Sequence, residues 1–313
     1  GDMTMSISRC TQNPTFMEEW RKGWHPEKIE PKGSSSKVLI IGSGPAGLEA
    51  ALACANRGYE VTLTESLDKM GGRVSKERNL PGLSAWGRVV DYREYQLSQK
   101  SNVETYFQSR LDVEQVLEFG FENVCIATGS KWRVDGVARQ HVIPIPTDAK
   151  MSLFTPDDIM NNKLPSGKVA IYDDDHYYMG GVIAELLIQK GCDVTLVTPS
   201  AYVSEWSKNT LEQGEIQKRL IEMGVNIELN RGVASIHSNY IKTNCIYTNK
   251  IDHLEAEAVV IVASRKPNDK LFEALKLQKG NWKDAGINSV KIIGDANAPG
   301  PIAWATYAGH RYA

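Results

Sequence analysis

Val38-Leu39-Ile40-Ile41-Gly42-Ser43-Gly44-Pro45-Ala46-Gly47 is the stretch that decides the fold of this 313-residue chain. Four consecutive apolar residues suit a strand buried on both faces of a parallel sheet. The six that follow fit G-x-G-x-x-G, and Ala46 to Arg57 then reads as a helix stopped by Gly58. In that setting Gly42 permits the tight turn, Gly44 lets backbone approach a pyrophosphate, and Gly47 lets the helix pack closely on the strand. The helix N-terminal amides face the phosphate charge. Glu60 to Thr64 alternates as a second strand, and Glu65 at its end can accept hydrogen bonds from an adenosine ribose. Residues 36 to 66 are therefore expected to hold the ADP half of a dinucleotide.

Working outward, the pattern restarts after Pro165-Ser166-Gly167. A strand from Lys168 to Tyr172, a helix from Val182 to Lys190, Gly191, and a strand from Asp193 to Thr198 echo the first unit. A helix from Thr210 to Met223, short strands up to Thr248 and an apolar run from Ala258 to Ala263 follow. One more strand, Val290 to Asp295, lies near the end. Domains of roughly 100 to 200 residues make two the natural number for this length. The expected fold is α/β, with two Rossmann-like domains of the FAD/NAD(P)-binding type and the second inserted in the first. Residues 36–145 plus 268–313 form the ADP/FAD-type domain, and 146–267 the second, NAD(P)-like one. Residues 1–35, ending in Pro31-Lys32-Gly33-Ser34-Ser35-Ser36, read as a strap with a flexible-linker composition.

Composition removes several classes of function. Hydrophobic residues at 42% and charged residues at 24% describe a chain that can bury a core. Lys plus Arg (36) balances Asp plus Glu (38) without a basic stripe, so nothing supplies the charge that nucleic-acid binding needs. No apolar run approaches the roughly 18 residues of a membrane span, and Gly1-Asp2-Met3-Thr4-Met5 lacks a signal-peptide design, so a cytoplasmic protein is expected. Cys10, Cys54, Cys125, Cys192 and Cys245 are odd in number and scattered, which points to reduced thiols. The six His residues show no zinc spacing, and no G-x-S-x-G elbow or Cys/His pair marks a hydrolase.

Met70-Gly71-Gly72-Arg73 follows the acidic residue after a short loop, and Ala127-Thr128-Gly129 and Ile293-Gly294-Asp295 close two later strands. Each tripeptide alone is weak, but their order resembles the two-dinucleotide-domain flavoproteins, in which Asp295 would sit by the pyrophosphate and ribityl region. The cofactor-binding set expected is Gly42, Ser43, Gly44, Pro45, Ala46, Gly47, Glu65, Ser66, Gly72, Arg73, Ala127, Thr128, Gly129, Gly294 and Asp295, with ADP or FAD as ligand. The second unit departs from that pattern. Its turn reads Asp173-Asp174-Asp175-His176, whose carboxylates repel a pyrophosphate and whose side chains obstruct close backbone approach. No ribose-binding acid or 2′-phosphate-binding Arg follows Thr198-Pro199, so no NAD(P)H is expected there. Neighbouring residues rarely converge on one ion, so the turn reads as solvated acids rather than a metal site.

Cys10-Thr11-Gln12-Asn13-Pro14 and Glu18-Glu19-Trp20-Arg21-Lys22-Gly23-Trp24-His25-Pro26-Glu27 carry a narrower resemblance. So do Leu80-Pro81-Gly82-Leu83, Asp91-Tyr92-Arg93-Glu94 and Gly309-His310-Arg311. These stretches resemble the C-terminal, nucleotide-binding part of the trimethylamine, dimethylamine and histamine dehydrogenase family of iron-sulfur flavoproteins. The resemblance implies a parent whose N-terminal FMN barrel oxidises an amine and passes electrons through a [4Fe-4S] cluster to an external acceptor such as an electron-transfer flavoprotein. It makes residues 1–35 the strap from that barrel, and Cys10 the fourth cluster ligand, in the parent only. One thiolate cannot hold a cluster. In this chain Cys10 is therefore expected to be exposed and reactive, and the fragment to bind nucleotide without catalysis. The alternative is a self-contained FAD/NAD(P)H-dependent oxidoreductase of the enoate or dienoyl-CoA reductase type, which the missing second fingerprint disfavours.

Overall fold

A computed structural model describes residues 8–18 and 28–313 of the chain. The stretch Glu19-Trp20-Arg21-Lys22-Gly23-Trp24-His25-Pro26-Glu27, part of the family resemblance, lies outside the described residues. The first elements are β1 (Val38–Ile41), α1 (Pro45–Arg57), β2 (Val61–Thr64), α2 (Val74–Glu77), α3 (Arg88–Ser98), β3 (Val103–Tyr106), α4 (Val113–Phe119) and β4 (Asn123–Ile126). Next come β5 (Ser130–Trp132), β6 (Ser152–Phe154), α5 (Pro156–Met160), β7 (Lys168–Asp173), α6 (Tyr178–Gln189), β8 (Asp193–Val197) and α7 (Gln213–Glu222). The strands β9 (Asn226–Glu228), β10 (Arg231–Ile236), β11 (Tyr240–Cys245), β12 (Ile251–Glu255), β13 (Ala258–Val262) and β14 (Arg265–Pro267) follow. The chain ends in α8 (Lys270–Leu277), β15 (Ser289–Ile292) and α9 (Ile302–Tyr312).

The chain divides into two compact units, residues 1–79, 83–130 and 267–313 in one and 80–82 and 131–266 in the other. The first is built on a parallel sheet of order β15-β4-β1-β2-β3. β1 is buried along its whole length, as its unbroken apolar run implied. Val38, Ile40 and Leu63 face one core with Leu48 and Ala51 of α1, while Leu39, Ile41 and Val124 face another with Val116, Leu275 and Ile287. α1 starts on Pro45 and ends at Gly58 in the left-handed conformation that glycine tolerates. Its small residues let α9 come close. A Cβ on Gly309 would overlap the carbonyl oxygen of Ala46.

The second unit repeats the design with a parallel sheet of order β6-β13-β7-β8-β9 and adds the antiparallel sheet β10-β11-β12. Sequence boundaries drawn at 145/146 and 267/268 shift to 130/131 and 266/267, because Ile145 packs with Ala170, Tyr172 and Val233 in the second unit's core. The helix expected from Thr210 starts instead at Gln213. Leu211 adopts a left-handed φ of 63°, which ends the 3-10 turn Glu205–Thr210 and separates it from α7.

Residues 8–18 of the strap are packed rather than loose, whereas residues 28–35 are exposed. Arg9 pairs with the buried carboxylate of Glu18, and its guanidinium lies 3.8 Å from the ring centre of Tyr307 on α9. Arg93 of α3, with no exposed surface, donates from Nη2 to the carbonyl of Gln12 (3.1 Å), from Nη1 to Val89 (3.0 Å) and from Nε to Glu49 of α1 (2.6 Å). The other oxygen of Glu49 meets His310 Nδ1 at 2.9 Å.

Candidate nucleotide site

The glycine turn joins β1 to α1. Gly42, at φ 104°, brings its α-carbon so near β4 that a Cβ would stand 2.5 Å from the Ala127 carbonyl oxygen, and a Cβ on Gly47 would overlap the Gly42 carbonyl oxygen. Gly44 is different, because a Cβ there would meet nothing within 4 Å. Beside it, α1 opens with no side-chain cap and no acid in its first turn. A helix start in that state leaves its amides and positive dipole end for an anion. Gly72, at φ 54°, comes so close that its Cβ would stand 3.2 Å from Gly44 Cα, and the Gly71 N–H donates to the Ser43 carbonyl (2.9 Å).

Glu65 is buried at the end of β2. Its Oε2 accepts from the Ser43 N–H (2.9 Å) and hydroxyl (2.7 Å), and its Oε1 from the Leu67 N–H (2.9 Å) and the Ser66 hydroxyl (3.0 Å). Burial pushes this carboxyl up, but the bonds from Ser43, Leu67 and Ser66 outweigh it and hold the group below the usual carboxylate range. Four donors thus lock an ionised Glu65 beside the glycine turn.

Arg73 and Asp295, 222 residues apart in the chain, meet with Arg73 Nη1 at 3.2 Å from Asp295 Oδ2. Ser130 completes the group, its hydroxyl donating to Asp295 Oδ2 (2.8 Å) and accepting from Arg73 Nη2 (3.1 Å), which also donates to the Ser130 carbonyl. Asp295 Oδ1 accepts from the Gly300 N–H (3.0 Å). Nothing in the motif reading singled out Ser130, although it directly follows Ala127-Thr128-Gly129. Of those three, Thr128 donates its hydroxyl to the Asn268 carbonyl (2.6 Å), and the Gly129 carbonyl accepts from the Asn268 N–H (2.9 Å). Gly294, at φ 58°, faces α1, where a Cβ would press on that of Ala46 at 2.6 Å.

In the second unit, the expectation of a solvated acidic turn is wrong. Asp173 and Asp174 are buried, as is His176. The cost of burial is met by hydrogen bonds that the local sequence does not announce, among them Gln140 N–H to Asp174 Oδ2 (2.8 Å) and His176 Nε2 to Asp174 Oδ1 (3.1 Å). Burial pushes the Asp173 carboxyl up to about 7, with His176 opposing.

Cys10 is half-buried, and its sulfur accepts from the Gln12 N–H at 3.4 Å. Among the described residues, no group of three or more His, Cys, Asp or Glu is placed to hold a metal ion, and no helix is long and apolar enough to cross a membrane. The other half-buried thiol is Cys245, which hydrogen bonds from the Thr248 hydroxyl and the Tyr247 and Thr248 amides pull down to about 7.

The family described as pyridine nucleotide-disulphide oxidoreductase matches residues 36–289. Dimethylamine dehydrogenase of Hyphomicrobium sp. (strain x) is 36% identical over 97% of this chain and 45% of its own length. The structure of histamine dehydrogenase from Rhizobium sp. 4-9 superposes with a TM-score of 0.97 at 64% identity, covering 99% of this chain and 48% of that one. The 6-hydroxypseudooxynicotine amine oxidase from Pseudomonas geniculata N1 gives a TM-score of 0.93 at 43% identity, over 99% and 46% of the two chains. The resemblance to the amine dehydrogenases drawn from the sequence is thereby borne out, and the chain spans about half the length of these relatives.

Proposed function

The chain belongs to the pyridine nucleotide-disulphide oxidoreductase family, and from that premise we propose that its first unit holds ADP, or the ADP half of FAD, as the nucleotide-binding part of a flavoprotein amine dehydrogenase. The start of α1 carries the reading: open space beside Gly44, no side-chain cap, and no acid in the first turn. The phosphates take the amides of Gly44, Ala46 and Gly47, since Pro45 has no N–H to give. Glu65 takes the ribose, whose hydroxyls replace those of Ser43 and Ser66 on the locked carboxylate. Gly72 borders the phosphates, and Arg73, next in the chain, stays paired with Asp295 beside them. Asp295 and Gly294, with Ala127, Thr128 and Gly129, border the far side, where a ribityl chain lies if the ligand is FAD.

By likeness to the named dehydrogenases and amine oxidase, the parent protein oxidises an amine. FMN, the [4Fe-4S] cluster and docking of an electron-transfer flavoprotein belong to that larger assembly, with Cys10 as one cluster ligand, and the cell compartment is the cytoplasm. The second unit takes no NAD(P)H, and this chain binds without catalysing.

Thermal unfolding with added ADP tests the central claim. A ligand that binds only the native state stabilises it by RT ln(1 + [L]/Kd), about 2.7 kcal/mol at a hundredfold excess over Kd. Protein freed of nucleotide should melt several degrees higher in millimolar ADP, and Gly44→Val should abolish the rise. An unmoved melting temperature in the wild type sinks the reading. Oxidised FAD is yellow and ADP colourless, so the visible spectrum of the purified protein separates the two ligands.

A further inference from the structure

The carboxylates at the end of β7 and in the turn after it have separate tasks. Asp173, with no exposed surface, turns Oδ1 back onto the turn that follows and accepts the N–H of Asp175 (3.2 Å) and of His176 (3.0 Å). The Asp175 N–H is shared with the Val262 carbonyl (3.2 Å), whereas the His176 amide goes to Asp173. Asp173 Oδ2 is buried without a hydrogen-bond partner and lies against the first turn of α6, where a Cβ on Gly180 would stand 2.5 Å from it. A backbone bond from Tyr177, the residue before α6, reaches Asp175, while α6 itself has no side-chain cap. Asp174 faces the other way, to Gln140 and His176.

In a dinucleotide-binding βαβ unit, the turn between strand and helix presents backbone amides to a pyrophosphate, and glycines make the room. Here the strand, the turn and the helix are all kept. A carboxylate from inside the protein holds the turn amides, and it sits in the space that Gly180 leaves. His176 confirms how far the turn still follows the glycine pattern, because it stands at φ 63°, in the left-handed region where glycine is the usual residue.

We propose that the Asp173 carboxylate is the internal occupant of this anion-binding turn, and that occupation, rather than repulsion by solvated acids, closes the second unit to nicotinamide dinucleotides. The proposal rests on the reading that this unit takes no NAD(P)H. It makes Asp173 the residue that sets what the second unit refuses. Two facts favour occupation over repulsion. The acid is buried and directed at the amides instead of projecting into solvent, and its neighbour Asp174 is already engaged with Gln140 and His176.

Calorimetric titration with NADH distinguishes these possibilities, using ADP-saturated protein so that the first unit is already filled. The proteins are wild type, Asp173→Asn and Asp173→Gly. Asparagine removes the charge but keeps an oxygen where Oδ1 accepts the amides, whereas glycine removes both. No binding is expected for wild type or Asp173→Asn, and Asp173→Gly should bind NADH at least about tenfold more tightly than either. An equal gain in Asp173→Asn and Asp173→Gly would mean that charge alone excludes the ligand, and would overturn the proposal. So would no gain in an Asp173→Gly protein that still melts cooperatively. Micromolar binding by the wild type defeats instead the underlying reading of a closed second unit. Should the glycine variant not fold, hydrogen exchange on the wild type decides. A protected His176 amide supports the internal occupant, and exchange at the free rate refutes it.

Discussion

Glu65 is a carboxylate whose work depends on staying ionised. Its folded-state pKa lies below its unfolded value, so the stability it supplies is present above about pH 4.3 and disappears as pH falls through the folded value. In Glu65→Gln, the side-chain amide presents a donor where Ser43 or Leu67 also donates, a mismatch that costs about 1–3 kcal/mol. Urea unfolding at pH 7 should show that loss, and the gap between variant and wild type should narrow at pH 3.5. A gap that stays constant across this range argues against an ionised Glu65. The variant should also lose most of the ADP-induced rise in melting temperature, since the same oxygens are assigned to the ribose. Thiol chemistry gives a second check at this scale. Cys10 was expected to be exposed and reactive, yet the structure packs its segment and leaves Cys245 half-buried as well, with a thiol drawn down to about 7. Because the thiolate is the nucleophile, alkylation of native protein at pH 7 should label Cys245 ahead of Cys10, Cys54, Cys125 and Cys192, with a rate that rises through a midpoint near 7. Peptide mass analysis that finds Cys10 labelled first would restore the picture of a loose strap.

At the level of elements, Arg93 ties α3 to α1 through Glu49 and to the strap through Gln12, and Glu49 continues to α9 through His310. Removing one member leaves a buried charge without its partner, which typically costs about 3–5 kcal/mol. Arg93→Met should therefore lower the urea midpoint strongly and make residues 8–18 open to limited proteolysis. Arg93→Met with Glu49→Leu should recover part of the stability but not the protection of the strap, because the bond to the Gln12 carbonyl stays lost. Proteolysis of the single variant at the wild-type rate would show that Arg93 does not hold the segment. These elements also mark the limit of sequence reading. The strand, glycine turn and helix from Val38 to Arg57 were legible because each signal is local: an apolar run, glycines at fixed offsets, Pro45 at the start and Gly58 at the stop. Glu65 was legible as an acid at a strand end, though not the four donors that lock it. Arg73, Ser130 and Asp295 meet across three distant segments, and no spacing rule relates them. The acidic turn at Asp173 was misread for the complementary reason. Charged composition speaks for solvent, and only the tertiary partners Gln140 and Val262 reveal that the turn is buried.

On the scale of the whole molecule, the first unit is assembled from stretches at both ends of the described chain. Residues 267–313 return after the second unit to supply β15, at the edge of the sheet beside β4, and α9, which lies against α1. The whole G-x-G-x-x-G turn and Glu65 precede residue 130, so a motif-level view assigns nucleotide binding to the N-terminal stretch alone. The packing says otherwise. Without residues 268–313, the carbonyl of Ala46 loses Gly309, the apolar face of Ile126 and Val124 loses Val290 and Ile287, and Glu49 loses His310. Asp295 goes as well, which leaves the partly buried guanidinium of Arg73 without its carboxylate. Helix α1 would then expose a stripe of Ala and Gly evolved for close contact, and each buried apolar side chain uncovered costs about 1.5–3 kcal/mol. The loss adds up to more than the usual stability of a domain, about 5–15 kcal/mol. A chain ending at Pro267 should therefore show no melting shift with ADP despite carrying every residue of the fingerprint. Adding residues 268–313 back as a separate peptide should restore some of the shift if the segment can dock. The outcome against this account is a truncated chain that melts cooperatively and is stabilised by ADP as strongly as the full one. In that case the βαβ unit alone would make the site, and the C-terminal return would be dispensable for binding.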